Sequence, residues 1–128
     1  MRGWGQLVLG DLRIELAEAL SSVDAIVYTH LPEVINAPAL VITPGSPYVT
    51  SEGQPFGHYR ANFSVVAVAD VSTNEVTTEA LDALVGSMAS ALAVESIPVS
   101  EVGEPYAFQS STAFHLAADV AVTLTFKF

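Results

Sequence analysis

A chain of 128 residues, 51% hydrophobic and 14% charged, is long enough to bury a core and too apolar to stay disordered. Fourteen acidic residues stand against four basic ones (Arg2, Arg13, Arg60 and Lys127). The formal net charge is therefore −10, and this excludes phosphate binding by a basic face, which needs clustered Lys and Arg.

With no cysteine, disulfides, zinc-thiolate sites, iron-sulfur clusters and thiol nucleophiles are excluded, so stability must come from packing. The apolar stretch 4–9 is short and runs into Asp11, which fits neither a signal peptide nor a membrane span. The stretch 83–94 has about half the roughly 20 residues that a spanning helix needs. A soluble chain is expected.

Leu9, Leu12, Leu16 and Leu20 recur at three or four residues, with Asp11, Glu15 and Glu18 between them, predicting an amphipathic helix over 6–21. Gly10 weakens its first turns, so its regular part is expected from about Asp11. The β-rich run 25–30 stops at Pro32 and reads as a first strand. Residues 39–43, set between Pro38 and Pro44, are consecutively apolar, as in an interior strand buried on both faces. From 44 to 57, prolines and glycines erase all periodicity, and a long loop is expected.

Residues 58–70 alternate, with Tyr59, Ala61, Phe63, Val65, Ala67 and Ala69 on one face and Arg60, Asn62 and Ser64 on the other. Ser72 and Glu75 have capping-box spacing, predicting a helix start. Within that helix Val76, Ala80, Leu84, Met88 and Leu92 form a stripe widened by Leu81 and Val85. Two short strands are predicted over 97–102 and 106–109. The segment 112–127 then places its apolar side chains on even positions and His115, Asp119, Thr123, Thr125 and Lys127 on odd ones, the mark of a strand with one face on the core. Its length suggests a bulge near residues 117–119, or an end that reaches beyond the domain.

Together these elements predict one α+β domain over 1–128, with two amphipathic helices on one face of a mainly antiparallel or mixed sheet. The other face would present Ala113, Ala117, Ala121, Thr123 and Thr125, a small-residue surface suited to close contact or simply to solvent.

No catalytic motif emerges. His30, His58 and His115 lie in separate segments without ligand spacing, Pro44-Gly45-Ser46-Pro47 lacks the second glycine of a nucleophile elbow, and neither phosphate-cradling glycine motif occurs. No metal or cofactor is expected. The carboxylate pairs Glu15/Glu18 and Glu79/Asp82 read as solvated helix surface, whereas Asp119, set among small and apolar residues, calls for a partner such as Arg60 or Lys127.

The order of elements resembles that of the small tail terminator proteins of long-tailed, siphovirus-type bacteriophages. The likeness spans nearly the whole chain. It lies in the N-terminal helix, the strand 39–43 followed by Pro44-Gly45, the long loop, the strand 59–69, the helix 75–93 and a last strand ending in Leu124-Thr125-Phe126. These are features of pattern, without a diagnostic motif.

The resemblance implies a non-enzymatic virion protein, made in the host cytoplasm, that forms a homohexameric ring. The ring would cap the head-proximal end of the tail tube, stop its growth and meet the head-side connector or completion protein, with no membrane involved. Contacts would come from a heterologous patch and from the loop residues Tyr48, Val49, Glu52, Gln54, Pro55 and Phe56. Six copies would carry about −60, so genomic DNA would pass the channel without sticking. Two alternatives stay open: another neck or tail component, and a small ligand-binding domain with a pocket of Tyr59, Arg60, His115 and Asp119.

Overall fold

The computed structural model describes residues 4–51, 53–69, 74–109 and 114–127. Helix α1 (Trp4–Ala19) is followed by strands β1 (Ile26–Tyr28), β2 (Ala39–Thr50) and β3 (His58–Val68), helix α2 (Asn74–Val94), and strands β4 (Val99–Val102), β5 (Tyr106–Gln109) and β6 (Phe114–Lys127). The six strands form one mixed sheet in the order β1-β2-β3-β6-β4, with β5 also on β6. Only β1 and β2 are parallel; every other pairing is antiparallel. This is the expected α+β architecture.

Both helices cover the same face. Leu12 and Leu16 of α1, Leu20 just after it, and Leu81, Leu84, Met88 and Leu92 of α2 are buried against Leu40, Ile42, Phe63, Val65, Val120 and Val122. The even-numbered β6 positions from 118 to 124 are all buried there, as the alternation requires. α1 runs through Gly10 from Trp4, because the Leu12, Leu16 and Leu20 stripe anchors the helix despite the glycine. In α2 the stripe differs from expectation. Ala80 is exposed and Thr77 is buried, because each step of four residues over-rotates by about 40° and carries Ala80 off the face that holds Leu92. The Ser72 cap lies outside the described residues.

α2 ends in a paired backbone turn: Ile97 N donates to Leu92 O (2.9 Å) and Ser96 N donates to Ala93 O (3.1 Å). This closure puts Ser96 at φ 56°, the left-handed region that glycine occupies without a Cβ penalty. Ser96→Gly is therefore expected to raise stability by about 0.5–1 kcal/mol, read as a higher urea midpoint at unchanged m-value.

The opposite face carries a second, smaller core. Ile35, from the connection between β1 and β2, roofs Ala39, Val41, Val66, Val68 and Ala117. Ala117 is thus fully buried, and the small-residue face expected to be open is closed at this end.

Strand β6 pairs with β3 without a break from His58↔Lys127 to Val68↔Ala117, so the bulge expected near residues 117–119 does not exist. The irregularity falls instead on the edge strand β4, between Val99 and Glu101. An edge strand can bend without disturbing a ladder on its other side.

Candidate interaction surface

The expected loop over 44–57 is corrected. Its first half continues β2 to Thr50, and only residues 51–57 turn. Pro44 and Gly45 argue against a strand by propensity, yet both sit beyond the reach of β1, where no described strand lies on the outer side of β2. A large bulge absorbs the mismatch: Pro44 faces Phe63 and Val49 faces Ala61, so residues 45–48 stand opposite Asn62 alone.

Asn62 ties this bulge down. Its Nδ2 donates to Pro47 O (2.9 Å), and its Oδ1 accepts from Thr123 Oγ1 on β6 (3.0 Å). Gly45 packs directly on the Asn62 main chain. The bulge also turns Tyr48 inward, where its ring meets Phe63 edge-on (5.7 Å, 79°) and its hydroxyl accepts from Arg13 Nη2 (2.7 Å). Tyr48 therefore belongs to the helix-covered layer and not to the tip of a loop.

The remaining candidate residues divide. Glu52 lies outside the described residues, and Val49 is exposed on β2. The turn itself is held by Gln54 N donating to Ser51 O and His58 N donating to Pro55 O, both 3.0 Å, with Gly53 and Gly57 at positive φ. A guanidinium offers only donors, so the Gln54 carboxamide oxygen faces Arg60 and accepts from Nε (2.9 Å) and Nη2 (3.1 Å). What this turn presents is Phe56, fully in solvent, beside the exposed Pro55.

The expected Asp119–Arg60 ion pair does not form. Both side chains share a sheet face, but Arg60 stands opposite Thr125 while Asp119 stands opposite Val66. Six residues along a strand separate them by about 20 Å. Asp119 accepts instead from the Tyr106 hydroxyl (2.7 Å), and its main-chain carbonyl accepts from Gly103 N (2.7 Å), so one residue fastens both ends of the β4–β5 connection.

Partial burial of the phenol, the hydrogen bond to Asp119 and that carboxylate's negative charge together push the Tyr106 pKa from 10.0 up to about 12. The folded value lies above the unfolded one, so the stabilisation is fully present below pH 10 and is lost as pH rises through about 12. Urea midpoints measured across this alkaline window are expected to fall less steeply for Tyr106→Phe than for the parent.

The alternative pocket of Tyr59, Arg60, His115 and Asp119 is not assembled. Tyr59 lies on the helix-covered face, stacked on Phe126 (5.7 Å), while its neighbour Arg60 lies on the other. His115 stands opposite Phe108, ten residues along β6 from the Thr125 that faces Arg60, about 33 Å away. On the face away from the helices a shallow groove of about 570 Å3 runs over Gly45, Asn62, Ser64, Ala121 and Thr123. Arg60, Glu101 and Asp119 also line it, so two of the four expected pocket residues share this groove, but Arg60 is engaged by Gln54 and Asp119 by Tyr106, and neither Tyr59 nor His115 reaches it. Among the described residues no group of three His, Asp or Glu side chains could hold a metal ion, and no helix is long and apolar enough to cross a membrane.

No protein-family model matches the chain, and no curated protein shows detectable similarity to it.

Proposed function

We propose that this chain is a structural, ring-forming subunit of a phage tail, acting like a tail terminator at the head-proximal end of the tail tube. The observation that carries the reading is the β2–β3 hairpin. Its turn is braced by backbone hydrogen bonds and by Gln54 on Arg60, and it carries a fully exposed phenylalanine. Water is a poor environment for such a side chain, and a protruding aromatic on a rigid support suits insertion between neighbouring subunits. A head-to-tail contact of that kind closes into a ring when the rotation between copies allows it.

The order of elements and the net charge of −10 fit the same role. In a ring of six, tube and connector would meet opposite rims, and the acidity would keep DNA from adhering to the channel.

The native mass of the purified protein decides this, by light scattering over a concentration series with negative-stain images of the same sample. A ring of about six subunits is expected, and Phe56→Asp is expected to leave the monomer folded while dissociating the ring. A concentration-independent monomer or dimer would overturn the preassembled ring.

A further inference from the structure

The two outer edges of the sheet differ. On β6, the main-chain groups of odd-numbered residues point away from β3: Asp119 O accepts from Gly103 N (2.7 Å), Ala121 O accepts from Ser100 Oγ (3.3 Å), and Thr123 N donates to Pro98 O (3.2 Å). Past Pro98 no described strand lies against β6. The next outward pair, the N–H and C=O of Thr125, therefore meets no partner among the described residues, and the same alternation turns the Lys127 main chain outward.

On the far side β1 is outermost but covers β2 only over residues 39–41, and beyond it the edge of β2 is interrupted by chemistry. Because Thr123 points outward, its partner Asn62 and then Ser64 turn their main-chain groups toward β2, where Ser64 faces Thr43. Thr43 thus bonds inward and Pro44 outward. An added strand would find no N–H at Pro44.

Beside the open β6 edge lies a groove of about 470 Å3. Leu124 and Ile97 give it an apolar floor, Glu15 and Glu95 supply two carboxylates, and Gln54 with Arg60 forms the opposite wall. We propose that this groove accepts an extended, basic segment of another protein, which adds to β6 as an extra strand. Main-chain bonds to Thr125 would fix its register, and every second side chain would face the helices, apolar ones over Leu124 and Ile97 and Lys or Arg beyond them toward Glu15 and Glu95, while the intervening side chains stay small and polar on the Arg60 face. Charge selects the occupant. With 14 acidic and four basic residues in the chain, a second copy brings mainly repulsion to an acidic groove, whereas a cationic partner is attracted from a distance. The site is independent of the ring reading and of Phe56.

The test titrates the full chain into a short labelled peptide that carries Lys and Val in turn on one strand face and Ser on the other (Lys-Ser-Val-Ser-Lys-Ser-Val), and into its Glu-for-Lys counterpart, followed by fluorescence anisotropy at low salt. The Lys peptide is expected to bind and to shift the Thr125 amide resonance, and the Glu peptide is expected not to bind. Thr125→Pro removes one outward donor and keeps the ladder to β3, so it should weaken binding by about tenfold or more, as should Glu95→Lys, an exposed change that leaves the core untouched. Should the proline variant fail to fold, Glu95→Lys and the Thr125 resonance decide. The proposal is overturned by no binding of the Lys peptide, by equal binding of both peptides, by binding that leaves the Thr125 resonance unmoved, or by a Thr125 resonance that already shifts with protein concentration alone, which would make a second copy the occupant. These outcomes are read without reference to whether a ring forms.

Discussion

Phe63→Ala is expected to lower the free energy of unfolding by about 3–5 kcal/mol, measured as a reduced urea midpoint. Phe63 is among the largest fully buried side chains and lies at the centre of β3, between Pro44 on β2 and Val122 on β6. Its ring also supports Tyr48, whose hydroxyl receives the hydrogen bond from Arg13. Truncation therefore leaves a cavity beneath α1 and loosens the contact that pins the bulge of β2 to that helix. Domains of this size hold only about 5–15 kcal/mol in reserve, so this one side chain decides much of the margin. A loss below about 1.5 kcal/mol would mean that the core collapses onto the gap and that Phe63 is not its centre.

A much smaller change should also be costly. Gly45→Ala adds one methyl group, yet the new Cβ would stand 2.7 Å from the Asn62 carbonyl oxygen, 2.9 Å from its carbon and 3.0 Å from its Cβ. Most of that contact is main chain of a strand held on its far side by β6, so the bulge has to move away from β3. A loss of about 1–3 kcal/mol is expected, accompanied by loss of the Asn62 bond to Pro47 O. Gly86→Ala is the matched control. It sits exposed on α2 with nothing within 4 Å of the added Cβ, and helix propensity alone should make it stabilising by about 0.5–1 kcal/mol. Equal effects at the two glycines would show that the close approach at Gly45 carries no energetic weight.

These two sites mark what the amino-acid order discloses and what it hides. The face of every β6 residue follows from parity, because successive side chains in a strand point to opposite sides, and the buried set from Ala118 to Leu124 obeys it. Parity says nothing about position along a neighbouring strand. Arg60 and Asp119 both fall on the polar parity of neighbouring strands, yet the register of β3 on β6 sets them far apart and gives Asp119 to Tyr106, a residue whose strand is only four residues long. The second half of β2 was hidden for a different reason. Pro44, Gly45 and Pro47 are strand breakers by propensity, and only an outer edge with a four-residue bulge admits them, a tertiary circumstance that local patterning cannot express. The exposed phenylalanine at position 56 is the reverse case. It lies in the part of the expected loop that does turn, and it is one of the residues expected to make contacts, but its full exposure to solvent is seen only in the fold.

The central place of β6 has a consequence for biosynthesis. β6 bonds to β3, β4 and β5, all of which leave the ribosome before it does. Until it emerges, β3 has a neighbour on one side only, and the part of the helix layer that packs on Val120 and Val122 has nothing to close over it. Local pairing of β2 with β3 can begin early, but the sheet waits for a contact of long sequence separation, which is intrinsically slow to form. Nascent chains are therefore expected to hold an incomplete core until β6 has left the ribosome, whatever is made before it.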